Sequence, residues 1–180
     1  MKQEFTISIY SENHVGLLNQ ITTIFTRRHI NIESLNTSES AIPGIHKFTI
    51  VVFTSRDQVN KLLGQIEKRI DVIKAFVFTA DEIIHQEVAL YKVKTESLLN
   101  SNEIERLVRQ YGARILEITN DYTVIEKTGH KAETQELFEK LDQFGVQQFV
   151  RSGRIAVTKL NKELLSNYLK KLEAEKSLLD

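Results

Sequence analysis

The sequence predicts an α+β protein made of two consecutive β-α-β-β-α-β domains. Apolar residues recur with period two and then with the helical period. That order of patterns occurs twice, and a polar stretch lies between the two runs. In the first run Phe5, Ile7 and Ile9 alternate with Thr6, Ser8 and Tyr10, the pattern of a half-buried strand. Leu17, Leu18, Ile21, Ile24 and Phe25 then share one helical face, with Asn19, Gln20, Thr22, Thr23 and Arg27 opposite. A polar second strand over Ile32 to Ser40 reaches a turn at Pro43-Gly44, and Phe48, Ile50 and Val52 line one side of a third strand. Val59, Leu62, Leu63, Ile66 and Ile70 make the stripe of a second helix, after which Ile73 to Phe78 return to strand. The order is the split βαβ plan of ferredoxin-like folds.

Asp81, Glu82, His85, Gln86 and Glu87 interrupt the apolar signal, so residues 80–86 are assigned as a linker between a first domain at 1–79 and a second at 87–160. The second run opens with a strand at Val88 to Val93. A helix follows from about Asn102, with Ile104, Leu107, Val108 and Tyr111 on one face and a stop at Gly112. Strands at Ile115 to Thr119 and Tyr122 to Glu126 flank a hairpin tip at Asn120-Asp121. Leu137, Phe138, Leu141 and Phe144 mark the next helix, Gly145 ends it, and Val146 to Val157 is a final strand region broken at Ser152-Gly153. Residues 161–180 form an amphipathic helical tail through Leu164, Leu165, Tyr168, Leu169 and Leu172, more often packed on a chain's own core than on another protein. A sheet with both helices on one side leaves its other face open. Phe53, Phe76 and Phe78 suggest that part of it is covered, by edge pairing or face packing of two chains, although scattered surface aromatics are also common.

Composition excludes several classes of function. The chain has 180 residues, 41% of them hydrophobic, with Lys plus Arg equal to Asp plus Glu at 24 each. No basic excess exists to neutralise a nucleic-acid backbone or an anionic membrane, no apolar run is long enough to span a bilayer, and the N-terminus lacks a signal-peptide core, so a cytoplasmic protein is expected. The absence of cysteine removes thiolate nucleophiles and cysteine-ligated metal sites. His14, His29, His46, His85 and His130 show no metal-binding spacing and no cluster with carboxylates. No nucleophile elbow, phosphate loop or dinucleotide fingerprint is present, so no catalytic residue and no metal ligand is assigned. RNA-recognition domains share the strand order, but their aromatic strand motif is missing.

The one stretch that reads as a ligand loop is Asn13-His14-Val15-Gly16-Leu17-Leu18. Gly16 stands where the loop enters the first helix, so a small anion can approach free backbone N–H groups with no Cβ in the way. Asn13 can cap that helix, and Asn31 offers a neutral donor and acceptor at the start of the next strand. An N-cap asparagine and a glycine at a helix start also have a purely structural reading.

The run Asn13-x-x-Gly16-Leu17-Leu18, followed by Arg27-Arg28-x-x-Asn31-Ile32-x-Ser34-Leu35, resembles the N-terminal ACT domain of acetolactate synthase (acetohydroxyacid synthase) regulatory small subunits. In the second half Glu87-Val88-Ala89-Leu90-Tyr91-Lys92-Val93, Thr128-Gly129 and Arg151-Ser152-Gly153-Arg154 are similar to that family's C-terminal, ACT-like domain, with Gln86 and Ser152 departing from it. The resemblance implies a chain that is not catalytic alone. It would activate a large catalytic subunit that carries thiamine diphosphate and magnesium, with no cofactor of its own, and confer feedback inhibition by valine or a related branched-chain amino acid. It further implies a homodimer of ACT domains whose effector site includes Asn13, Val15, Gly16, Leu17, Leu18, Asn31 and Ile32. The alternative is a stand-alone ACT-type sensor controlling a transcription factor or another metabolic enzyme. No nucleic-acid or membrane partner is expected.

Overall fold

A computed structural model describes residues 1–99 and 102–177 and divides the chain into two compact units, residues 1–84 with the segment from 156 onward, and residues 85–155. The first unit contains β1 (Lys2–Glu12), α1 (Leu17–Arg27), β2 (Ile32–Glu39), β3 (Ile45–Ser55), α2 (Arg56–Ile66) and β4 (Val72–Phe78). Its sheet is antiparallel between neighbours in the order β2-β3-β1-β4. The alternation read from β1 sets the register: Ile7 lies opposite Ile50 on one side and Val77 on the other, and Phe5, Ile7 and Ile9 are buried against the helices.

Leu17, Ile21, Ile24 and Phe25 are the buried stripe of α1, at the spacing that puts side chains on one helical face. A reciprocal capping box starts α2, in which Ser55 Oγ accepts from the Gln58 N–H at 3.3 Å; such a cap stabilises a helix by about 1 kcal/mol. The helix ends at Ile66, one turn before the sequence pattern does. Ile70 therefore sits in the following turn and is 97% exposed instead of joining the stripe.

The second unit repeats the plan. β5 (Ile83–Lys94) enters it, followed by α3 (Thr95–Leu99), α4 (Asn102–Gln110), β6 (Arg114–Ile118), β7 (Tyr122–Gly129), α5 (Lys131–Asp142) and β8 (Val146–Arg151), with sheet order β6-β7-β5-β8. Residues 80–86 are not a featureless connector: Ala80–Glu82 form a 3-10 turn capped by Thr79 and Glu82, and β5 begins at Ile83. The core packs Tyr91, Ile104, Ile125, Leu137 and Leu141. Tyr91 is fully buried, stacks on Phe149 at 5.2 Å and donates its hydroxyl to the Thr134 carbonyl at 2.7 Å. Burial pushes that phenol up to about 12. Glu87 and Glu126 are buried carboxylates, each beside a cation, Arg151 and Arg114 respectively.

After the Ser152-Gly153 break the chain forms β9 (Ile155–Thr158), which pairs with β5, and then α6 (Leu164–Ser177); residues 178–180 of the tail lie outside the described residues. Residues 156–177 act as an arm on the first unit. The Lys159 N–H donates to the Glu82 carbonyl at 2.9 Å, the Lys47 ammonium donates to the Ala156 carbonyl at 2.9 Å, and Lys74 lies 5.3 Å from the Tyr168 ring. Leu165 is the buried anchor of α6. The outer sheet face, expected to meet a second chain, is thus partly covered from within the same chain. Phe76 and Phe78 are half-buried beside the arm, while Phe53 remains 57% exposed.

Candidate functional site

The β1–α1 loop is exposed from Glu12 to Gly16, and only Leu17 of the ligand run is core. Gly16 is the residue preceding α1 and has φ +87°, a left-handed conformation that glycine adopts without strain. Its carbonyl accepts the first helical bond, from Gln20 at 3.1 Å, and the Leu17 N–H turns back to the His14 carbonyl at 3.3 Å. No side chain caps the helix. The sequence assigned that role to Asn13, but the left-handed step at Gly16 delays the helix to Leu17 and leaves Asn13 three positions before the cap, too far back to serve it. The uncapped first turn retains amides and the positive end of the helix dipole, which attract a carboxylate by about 0.3–1 kcal/mol, or ~2 if partly enclosed.

The loop is tied at its base. Glu12 N–H donates to the Asp71 carbonyl at 3.0 Å, and His14 stands between two acids, with Nδ1 3.0 Å from Asp71 and Nε2 3.5 Å from Glu12. Sequence spacing gave no grouping of histidine with carboxylates, because Asp71 arrives from the far end of the α2–β4 turn. The three residues offer potential ligand atoms within 4.8 Å of one another. Each acid faces a different ring nitrogen, and the hydrogen bond between His14 Nδ1 and Asp71 ties the loop to the α2–β4 turn. A metal taken by one nitrogen would have to displace a contact.

Val15 is fully exposed and Leu18 is 42% exposed, so the loop presents apolar side chains next to the uncapped amides. Asn31 and Ile32 are elsewhere. They follow the C-terminal end of α1, an 11-residue helix, about 16 Å long at the usual rise. Strand register agrees: Ile32 lies opposite Val52, which pairs with Phe5 near the start of β1, whereas Gly16 follows the other end of that strand. Asn31 is exposed and donates its amide to the Glu33 carboxylate at 2.9 Å, and Ile32 is half-buried. Asn13, Val15, Gly16, Leu17 and Leu18 therefore form one cluster and Asn31 with Ile32 another. Within a single chain they do not share a pocket. Asn31 and Ile32 lie at the start of β2, an edge strand that pairs with β3 among the described residues, and the Gly16 loop lies at the level of its far end, since Ser11 of β1 and Glu39 of β2 both pair with His46.

Two family models match the chain. One, described as the small subunit of acetolactate synthase, covers residues 86–160; the other, an AHAS small subunit-like ACT domain, covers residues 7–74. The acetolactate synthase small subunit of Bacillus subtilis is 32% identical over 157 residues, 87% of this chain and 90% of that one. That of Mycobacterium leprae is 31% identical over 154 residues, 86% and 90% of the two chains. The crystal structure of the acetolactate synthase small subunit from Thermotoga maritima superposes with a TM-score of 0.81 at 25% identity, over 89% of this chain and 99% of that chain. α6 lies beyond the residues that either family model matches.

Proposed function

The chain belongs to the family of acetolactate synthase small subunits, and we propose that it activates a thiamine-diphosphate- and magnesium-bearing catalytic large subunit in the cytoplasm and confers feedback inhibition by valine or a related branched-chain amino acid. Its own part is regulatory; the family is that of the small subunit, and no residue here is assigned a catalytic role. The observation that carries the effector reading is that the candidate residues divide between the two levels marked by the ends of the edge strand β2, Asn31 and Ile32 at its start and the Gly16 loop, after β1, level with its far end. If two copies pair through β2 about a two-fold axis, the paired strands run antiparallel. The Asn31 end of one copy then faces the Gly16 end of the other, and two equivalent sites form at the interface.

In such a site the ligand carboxylate takes the first-turn amides of α1, Asn31 of the second copy bonds the polar end, and Val15, Leu18 and Ile32 enclose the branched side chain. Enclosing an isopropyl group stabilises the complex by roughly 1.5–3 kcal/mol. A coupling free energy of 1–3 kcal/mol between this interface and the catalytic subunit is the usual scale of allosteric inhibition.

Mixing two defective variants tests the shared site. Gly16→Asp and Asn31→Ala homodimers should each lose valine binding. After subunit exchange, random pairing leaves one undamaged site in each mixed dimer, so roughly a quarter of all sites recover. No recovery in verified mixed dimers would refute a site built from two copies. Addition of the chain to the catalytic subunit should raise acetolactate formation and make it valine-sensitive; an unchanged rate would refute the regulatory role.

A further inference from the structure

The arm and the outer face of the first unit's sheet line an open cleft of about 400 Å³, separate from the loop and strand residues of the effector reading. Its volume is in the range of small-molecule sites. One wall is aromatic: Phe76 and Phe78 stack with ring centres 6.4 Å apart, and Tyr10 meets Phe76 edge-on at 6.1 Å. Three charged residues also line the cleft, Lys47, Lys162 and Glu163. Lys47 reaches in from β3, and Glu163 comes from the residue before α6.

Lys47 and Glu163 each hold part of the fold and keep their charge. The Lys47 ammonium gives one hydrogen to the Ala156 carbonyl at 2.9 Å and retains two. Burial pulls its pKa below the ordinary lysine range while the field of Glu163 opposes that shift. Glu163 caps the start of α6, accepting from the Ser166 and Leu165 N–H groups and from the Ser166 hydroxyl, and it keeps its negative charge and part of its acceptor capacity. Among the described residues no ion pair closes between Lys47 and Glu163. Two cations and an anion around an apolar wall, with no ion pair closed between Lys47 and Glu163, match a ligand carrying both charges next to an apolar group. We propose that this cleft binds a free α-amino acid with an apolar or aromatic side chain, its carboxylate on Lys47, its ammonium on Glu163 and its side chain against Phe76 and Phe78. It is a second amino-acid site, and it is complete only when the arm is in place.

The chain has no tryptophan, so Phe78→Trp in the full-length protein places a single indole in the wall as a reporter. Phenylalanine and leucine should change its fluorescence saturably. 3-Phenylpropionate, which lacks the ammonium, and phenethylamine, which lacks the carboxylate, should bind at least about tenfold more weakly. Adding Lys47→Met should abolish the response. Adding Glu163→Gln, which keeps a cap acceptor for α6, should weaken phenylalanine but not 3-phenylpropionate. Adding Asn31→Ala should leave the response unchanged even where it removes valine from the interface, so this site and the effector reading fail independently. Calorimetry with phenylalanine on the chain bearing only Lys47→Met guards against an effect of the reporter. An indole blind to every probe with the fold retained, equal responses to all three charge types, or loss of the response with Asn31→Ala would each overturn the proposal.

Discussion

Alanine and aspartate at position 16 separate backbone strain from charge at the start of α1. Gly16 has φ +87°, and a Cβ built there meets nothing within 4 Å, so the steric effect on the folded chain is conformational strain alone. That strain is about 1–2 kcal/mol for a residue with a Cβ, and denaturant titration of Gly16→Ala should show a loss of that size. Gly16→Asp should lose a similar or smaller amount, because aspartate tolerates the left-handed region better than most residues. Binding should separate the two. An aspartate carboxylate about 5 Å from a ligand carboxylate, at an effective dielectric constant of about 20, repels it by roughly 3 kcal/mol, which is more than a hundredfold in affinity. The alanine methyl adds no charge and should weaken valine by less than about tenfold. Calorimetric titration of valine into both folded variants decides the matter. Equal affinities for the two would mean that no anion sits over this helix start, and wild-type affinity in both would remove the ligand from the loop.

Three further outcomes follow from the packing. Leu165→Ala should cost about 2–5 kcal/mol at a fully buried leucine, read as earlier proteolytic cleavage between residues 156 and 177 than in the wild type; an unchanged cleavage rate would mean that α6 is not anchored there. Tyr91→Phe should lose about 0.5–1.5 kcal/mol for its hydroxyl bond near neutral pH. Because the folded pKa of Tyr91 is raised from 10 to about 12, wild-type stability is intact below pH ~10 and falls as the pH rises towards 12; unfolding curves should therefore show the wild type losing its advantage over the phenylalanine variant across that window. Glu126 is shifted the other way: the Thr128 hydroxyl, then Arg114, hold its carboxyl below the ordinary range. Thr128→Val should weaken the protein near pH 7, and the difference should shrink as the pH falls through the folded pKa of Glu126; a difference independent of pH would exclude that linkage.

Local patterning made most of the fold legible. Phe5, Ile7 and Ile9 fix a strand because period two admits one buried face, and Leu17, Ile21, Ile24 and Phe25 do the same for α1. Ile70 continues a helical spacing past the point where the backbone turns, and periodicity does not register termination. The candidate site was half legible. Gly16 marks a left-handed step that only the turn requires. The uncapped helix start depends on where the first hydrogen bond closes, and the Asp71–His14–Glu12 bridge joins residues far apart in sequence. That Asn13 and Asn31 lie at opposite ends of α1 follows from helix length alone. The arm's destination was not legible: an amphipathic stripe says that α6 needs a cover and nothing of which sheet supplies it.

The return of the arm has a consequence for synthesis. The Lys47–Ala156 bond joins positions 109 residues apart, so the first unit is interrupted in sequence by the whole of the second. On a ribosome the β2-β3-β1-β4 sheet can form early, but its aromatic face with Tyr10, Phe76 and Phe78 stays bare until residues 156–177 emerge. Closing so long a loop is slow relative to the local pairings around it. In that interval the nascent chain presents an adhesive surface that the finished protein partly hides, and the order of translation makes this unit the first to begin folding and the last to be completed.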